Sequence, residues 1–222
     1  MDINPLAPDI LFHIGPVPID RAVVTTWAIM ALLTLLSWLG TRRATVHAGG
    51  LQAVLEIAVE ALETQIRDVL RRDPWPYLPI LGSLFLFIVV ANLSAVIPGL
   101  KPPTAHLETP AALAIIVFLS AHAFGLRSLG PVNYLKRYVK PNPILLPLNI
   151  LAEFTRTFSL MIRLFGNMMS HEFVLAIVVF LAGLLLPVPF MLLGILIGVI
   201  QAYIFTILAT VFIGAAVSGE AD

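Results

Sequence analysis

The stretch PLNILAEFTRTFSLMIRLFGNMMSHE, residues 147–172, decides how the rest of the chain is read. It lies inside an apolar segment that begins near Ile144 and runs to Leu186, yet it carries Arg163 close to the midpoint. An arginine at the centre of a bilayer costs roughly 2.5–3.5 kcal/mol on insertion scales. It cannot escape that cost by shedding its proton, because a guanidinium stays charged. A cation held there needs either a route to an interface or a partner.

The segment divides in one of two ways. As two spans joined by a turn at Gly166-Asn167, its second piece, Phe173 to Leu186, has about 14 residues, against the roughly 17–25 that a crossing takes. As one helix, its length comes to about 65 Å, roughly twice the hydrocarbon thickness, so it must tilt strongly. The polar residues favour the single helix. At 100° per residue, Arg156, Ser159, Asn167 and Ser170 all fall within about 40° of Arg163. Asn149, two heptads earlier, extends the stripe, while Phe154, Met161 and Phe165 fall on the other side. Glu172 lies about 180° from Arg163, and His171 and Glu153 about 80°.

The remaining sequence fits a membrane setting. Of 222 residues, 59% are hydrophobic and 12% charged, with no net charge and a mean hydropathy of +0.97. Soluble domains carry about twice that charged fraction. With no cysteine, disulfides, thiolate nucleophiles and cysteine metal sites are excluded. The first twenty residues hold Asp2, Asp9 and Asp20 but no Lys or Arg, unlike a cleavable signal peptide. The first apolar run is therefore expected to stay as an anchor.

In order, residues 1–22 read as a proline-rich outer arm and 23–39 as a short span followed by Arg42 and Arg43. Across 51–72, Leu55, Ala58, Leu62, Ile66 and Val69 recur every three or four residues, with Glu56, Glu60, Glu63, Arg67 and Arg71 on other faces. That pattern describes an amphipathic helix on the membrane surface, or else a soluble linker helix. Residues 78–97 form a second span with Asn92 as its polar group, and 111–126 a third containing His122. A basic connector with Lys136, Arg137 and Lys140 follows.

After the Pro187 and Pro189 break, 190–217 returns as the last helix, with a Gly194/Gly198 GxxxG pair and Gln201 on one face. The expectation is an all-α polytopic membrane protein, a single domain of about five crossings plus one surface helix, closed by a long tilted helical hairpin. Nine of the thirteen basic residues fall on the side of Arg42. The positive-inside rule then places the N-terminus outside and the C-terminus in the cytoplasm.

Two explanations of Arg163 remain. It snorkels or pairs within its own helix, or it meets a carboxylate on another chain, whose ionised form it would favour while repelling ions that would leak straight through. Snorkelling is hard from the midpoint, and Glu153 and Glu172 project off its stripe. His171 and Glu172 form a titratable pair suited to passing protons, or a satisfied polar pair at a helix seam. Arg156 lies nearer the basic connector and is as consistent with snorkelling as with function. There is no GxxxxGK[ST] phosphate loop, and His171-Glu172 does not continue to HExxH because residue 175 is Leu. No nucleotide hydrolysis, cofactor, metal centre or nucleic-acid binding is expected of the chain itself.

Glu153 through Glu172, centred on Arg163-Leu164-Phe165-Gly166-Asn167-Met168, closely resembles the signature of subunit a of F-type ATP synthases. The resemblance extends to Asn92-Leu93 with Ile97-Pro98-Gly99, to Pro102-Pro103-Thr104, and to Gln201-Ala202-Tyr203-Ile204-Phe205. It implies a non-catalytic stator subunit of the bacterial inner membrane, partnered by the c-ring and peripheral-stalk subunit b, and translocating H+ or Na+. Arg163 would face the ring carboxylate, and Glu172, Asn167, Gln201 and Ser159 would line two offset half-channels. With His171, Ser170, Asn149, Glu153 and Arg156 these form the candidate ion path. Some members carry a histidine at the position of Gly194 and a small residue near Ser170 or His171, so here the imidazole has changed helices. Arg156-Thr157 replaces a lysine-proline pair, and Asn149 replaces an acid. A secondary transporter and a structural anchor are the rival functions, although the internal repeat common in transporters is not visible.

Overall fold

The computed structural model describes residues 10–14, 17–42, 50–97, 100, 102–139, 144, 146–183 and 187–218. Pro98 and Gly99 of the family-like motif, the basic residues Arg43, Lys101 and Lys140, and the last four residues lie outside them.

The fold is all-α apart from a small hairpin. Strands β1 (Ile10–Ile14) and β2 (Val17–Asp20) pair antiparallel within the expected outer arm. Asp20 then caps α1 (Arg21–Thr41), its carboxylate accepting from the Arg21 amide at 2.6 Å; an N-cap acceptor satisfies a donor that the helix cannot. The chain continues through α2 (Gly50–Leu70), α3 (Leu78–Leu93), α4 (Glu108–Leu129), α5 (Pro131–Val139), α6 (Leu146–Ala182) and α7 (Pro187–Val217). Two short 3-10 turns, Ser94–Val96 and Pro103–Ala105, lie between α3 and α4. Five helices, α1, α3, α4, α6 and α7, are long and apolar enough to cross a membrane.

Residues 146–182 form one uninterrupted helix of 37 residues, with no turn at Gly166-Asn167. It stops at Gly183, whose φ of 68° is a left-handed conformation that closes helices at little cost only for glycine. Pro187 then opens α7 at a first-turn position where a missing amide does no harm. The basic connector contains the nine-residue helix α5, entered through Gly130 with φ 75°.

The core lies where α3, α4 and α7 meet. Leu81, Ile88, Ala91, Val117, Phe205, Ala209 and Ile213 are buried there. Helix α2 adds Leu62, Ile66 and Leu70 to this core while Glu56, Glu60 and Arg67 stay exposed, as its amphipathic pattern requires. It is not among the five spanning candidates. Tyr203 of α7 donates its hydroxyl to Gln65 Oε1 of α2 at 2.8 Å. Buried Thr206 and Thr210 satisfy themselves one turn back, donating to the carbonyls of Ala202 at 2.9 Å and Thr206 at 2.8 Å.

Helix α6 lies against α4 and α7 along one stripe only, Leu160, Leu164 and Met168. Phe154, Phe158, Ile162, Phe173, Ile177 and Phe180 are exposed on its outer side. Much of the N-terminal half of α7 is also uncovered, including Leu192, Leu193 and Leu196. The hairpin therefore presents a broad apolar face away from the bundle.

Candidate functional site

Taking the buried Leu164 as the inward direction of α6, Arg163 points about 100° to one side. Arg163, Arg156, Ser159 and Ser170 are all exposed along that flank. Asn149, earlier on the stripe, is half-buried. Among the described residues, the Arg163 guanidinium has no hydrogen-bond or ion-pair partner. The two carboxylates of the same helix do not supply one, since Glu153 and Glu172 are half-buried on other faces.

Asn167 lies one turn beyond Arg163, where the flank turns in toward α7. Its Nδ2 donates to Gln201 Oε1 at 2.6 Å, which joins two residues read from separate motifs. Gln201 is 3% exposed, and its own Nε2 is buried without an acceptor among the described residues. A buried donor with no acceptor is costly unless water reaches it.

The GxxxG pair of α7 receives side chains from two different helices. A Cβ at Gly194 would overlap the His171 imidazole, and one at Gly198 would lie 2.9 Å from Asn92 Cβ. Gly194 therefore makes the room that His171 of α6 occupies, consistent with an imidazole moved from one helix to the other. Glu172, next to it, faces another direction and is half-buried.

Asn92 is a bracket that its sequence context did not reveal. Its Nδ2 donates to the Gly198 carbonyl at 2.9 Å, and its Oδ1 accepts from Thr104 Oγ1 at 2.8 Å. Both side chains are buried, at 2% and 0% exposed. Asn92 had been noted as the polar residue of its span, and Pro102-Pro103-Thr104 as a motif; nothing local links them. Along α7, His171, Asn92 with Thr104, and Asn167 with Gln201 meet Gly194, Gly198 and Gln201 on successive turns, a polar column roughly 10 Å long.

At the other end of α6, Glu153 Oε1 lies 3.7 Å from His122 Nε2 of α4. His106, which precedes α4, lies 3.9 Å from Asp20 across the bundle, through Nδ1 and Oδ2. Among the described residues there is no cluster of three or more metal-ligating side chains.

The sequence matches a known family. The family model for the ATP synthase A chain matches residues 23–214. The chain is 58% identical to ATP synthase subunit a 2 of Bradyrhizobium sp. over 221 residues, covering 100% of this chain and 99% of that protein. It is 49% identical to ATP synthase subunit a 1 of Chlorobaculum parvum, covering 93% and 92%. It is 45% identical to ATP synthase subunit a of Nitrosospira multiformis, covering 98% and 88%. The chain belongs to the ATP synthase A chain family.

Proposed function

We propose that this member of the ATP synthase A chain family is the stator channel that passes protons, or sodium ions, to and from a rotating ring of c subunits. Arg163 is the essential cation of that exchange. An ion enters one half-channel, neutralises a ring carboxylate, rides around, and leaves when that carboxylate meets Arg163. The guanidinium favours the ionised carboxylate and blocks direct leakage between the half-channels. The chain performs no catalysis alone; the ring's rotation drives ATP synthesis elsewhere in the complex.

The observation that carries this reading is the exposed, unpartnered Arg163 in the middle of a 36-residue apolar span. A lone cation facing hydrocarbon is too costly to keep without use, and an acid on another chain relieves the cost. The apolar outer face of α6 and α7 gives such a chain something to lie against. The column of His171, Asn167, Gln201, Asn92 and Thr104 supplies polar groups for one half-channel, with Glu172 close by. Ser159, Asn149, Glu153 and Arg156 belong to the other. Subunit b of the peripheral stalk would anchor the chain against rotation. The basic-residue asymmetry supports a multi-pass chain of the bacterial inner membrane with its N-terminus outside.

The test is Arg163→Ala in the assembled complex, read as ATP-driven ion pumping into inverted membrane vesicles. Pumping should fall to background while the complex still assembles. Pumping at the wild-type rate would refute the role.

A further inference from the structure

His122 of α4 lies outside the polar stripe of α6 and outside the α7 column, yet it is positioned as a proton carrier would be. Its Nδ1 is 2.8 Å from the Phe118 carbonyl one turn back. A carbonyl can only accept, so Nδ1 holds the hydrogen and Nε2 is left as the nitrogen that takes up a proton. That nitrogen is the one 3.7 Å from Glu153 Oε1. The Phe118 ring, 4.1 Å away between centroids, and the Tyr134 ring of α5, at 5.9 Å, flank the imidazole.

The pair also stands at a useful depth. His122 is seven residues before the end of α4 and Glu153 seven after the start of α6, so both lie about 10 Å in from the α5 end. Arg163 is about 15 Å further along α6. With side chains 27% and 26% exposed, the pair is sheltered but not sealed from water. The titratable groups facing His122 are Glu153 from α6 and Tyr134 from α5. The packed half of α7, Gln201 to Val217, brings no Asp, Glu, Lys, Arg or His.

We infer that His122 and Glu153 form a proton-exchange station of the half-channel on the α5 side. The inference rests on the stator reading above and adds to it a residue on a different helix. A proton on the Glu153 carboxyl moves to His122 Nε2, directly after a small rotation or through one water, leaving a carboxylate beside an imidazolium. The imidazolium then releases the same proton to water at the connector. Glu153 is left ready to accept the next one, and no other group changes charge.

The test uses whole ATP synthase complexes in vesicles, with ATP-driven proton pumping as the readout. His122→Asn retains an amide donor for the Phe118 carbonyl but cannot carry a proton. It should lower pumping by roughly 100-fold, the lower end of what a positioned acid–base group contributes. His122→Ala should lose a similar factor and recover in part with added imidazole. Wild-type pumping in the Asn variant, a loss in the Ala variant that imidazole leaves untouched, or failure of both to assemble would each overturn the inference in favour of a packing role. Arg163→Ala, run alongside, separates the two levels. Pumping that survives it defeats the stator reading, whereas its loss beside a fully active His122→Asn complex defeats the His122 station alone.

Discussion

Two sets of polar groups lie on or against the last two helices, and they differ in how they are satisfied. On the inner seam, Asn92 has both ends of its amide occupied, Thr104 and Asn167 donate to named acceptors, and His171 fills the space over Gly194. On the outer flank of α6, Arg163 is exposed and unpartnered among the described residues. Buried polar groups with partners hold a membrane bundle in one arrangement; a charge without one marks a surface that another chain completes. On the proposed function, the seam keeps the shape and the flank is for exchange.

The sharpest way to break that contrast is Arg163→Ala. If the flank is for exchange alone, coupled pumping disappears while the unfolding free energy of the purified chain in micelles changes by less than about 0.5 kcal/mol. Asn92→Leu should do the reverse. It removes the acceptor of the Thr104 hydroxyl and leaves the Gly198 carbonyl only its bond within the helix, and should cost about 1–2 kcal/mol in the same unfolding assay. A chain as stable as wild type would remove Asn92 from the frame of the seam.

Gly198→Ala tests the same bracket by crowding it. The added methyl meets Asn92 Cβ at 2.9 Å, for an expected loss of about 1 kcal/mol. Combining it with Asn92→Gly, which removes that Cβ, should show a non-additive recovery in a double-mutant cycle, and strict additivity would mean that the two do not touch. Tyr203→Phe removes only the exposed link to Gln65. Its cost should stay near 0.6 kcal/mol or less, and a larger one would make α2 a structural partner of the seam.

The outer flank was legible in the sequence because it is periodic on a single helix. Arg156, Ser159, Arg163 and Ser170 repeat at helical spacing, and counting residues was enough to favour one helix over a turn at Gly166-Asn167. The inner seam was legible only in fragments. Asn92 and Gly198 are 106 residues apart, and Asn167 and Gln201 are 34 apart; no local propensity encodes such pairings. The resemblance of the motifs flagged several of these residues without saying what they touch. A GxxxG pair ordinarily lets backbones approach closely, whereas these glycines accommodate the side chains of His171 and Asn92. His122 was visible as a titratable residue within a span, but its pairing with Glu153 required knowing that α4 and α6 are neighbours. Of the N-terminal arm, proline content suggested extended chain and left the β1–β2 pairing unseen.

The bare guanidinium on the outer flank also bears on biogenesis. If a ring covers Arg163 as proposed, a newly inserted copy without it has to draw headgroups and water inward to solvate the guanidinium, thinning the lipid around it. Its most vulnerable interval is thus between insertion and docking, when it is an obvious target for proteolytic quality control.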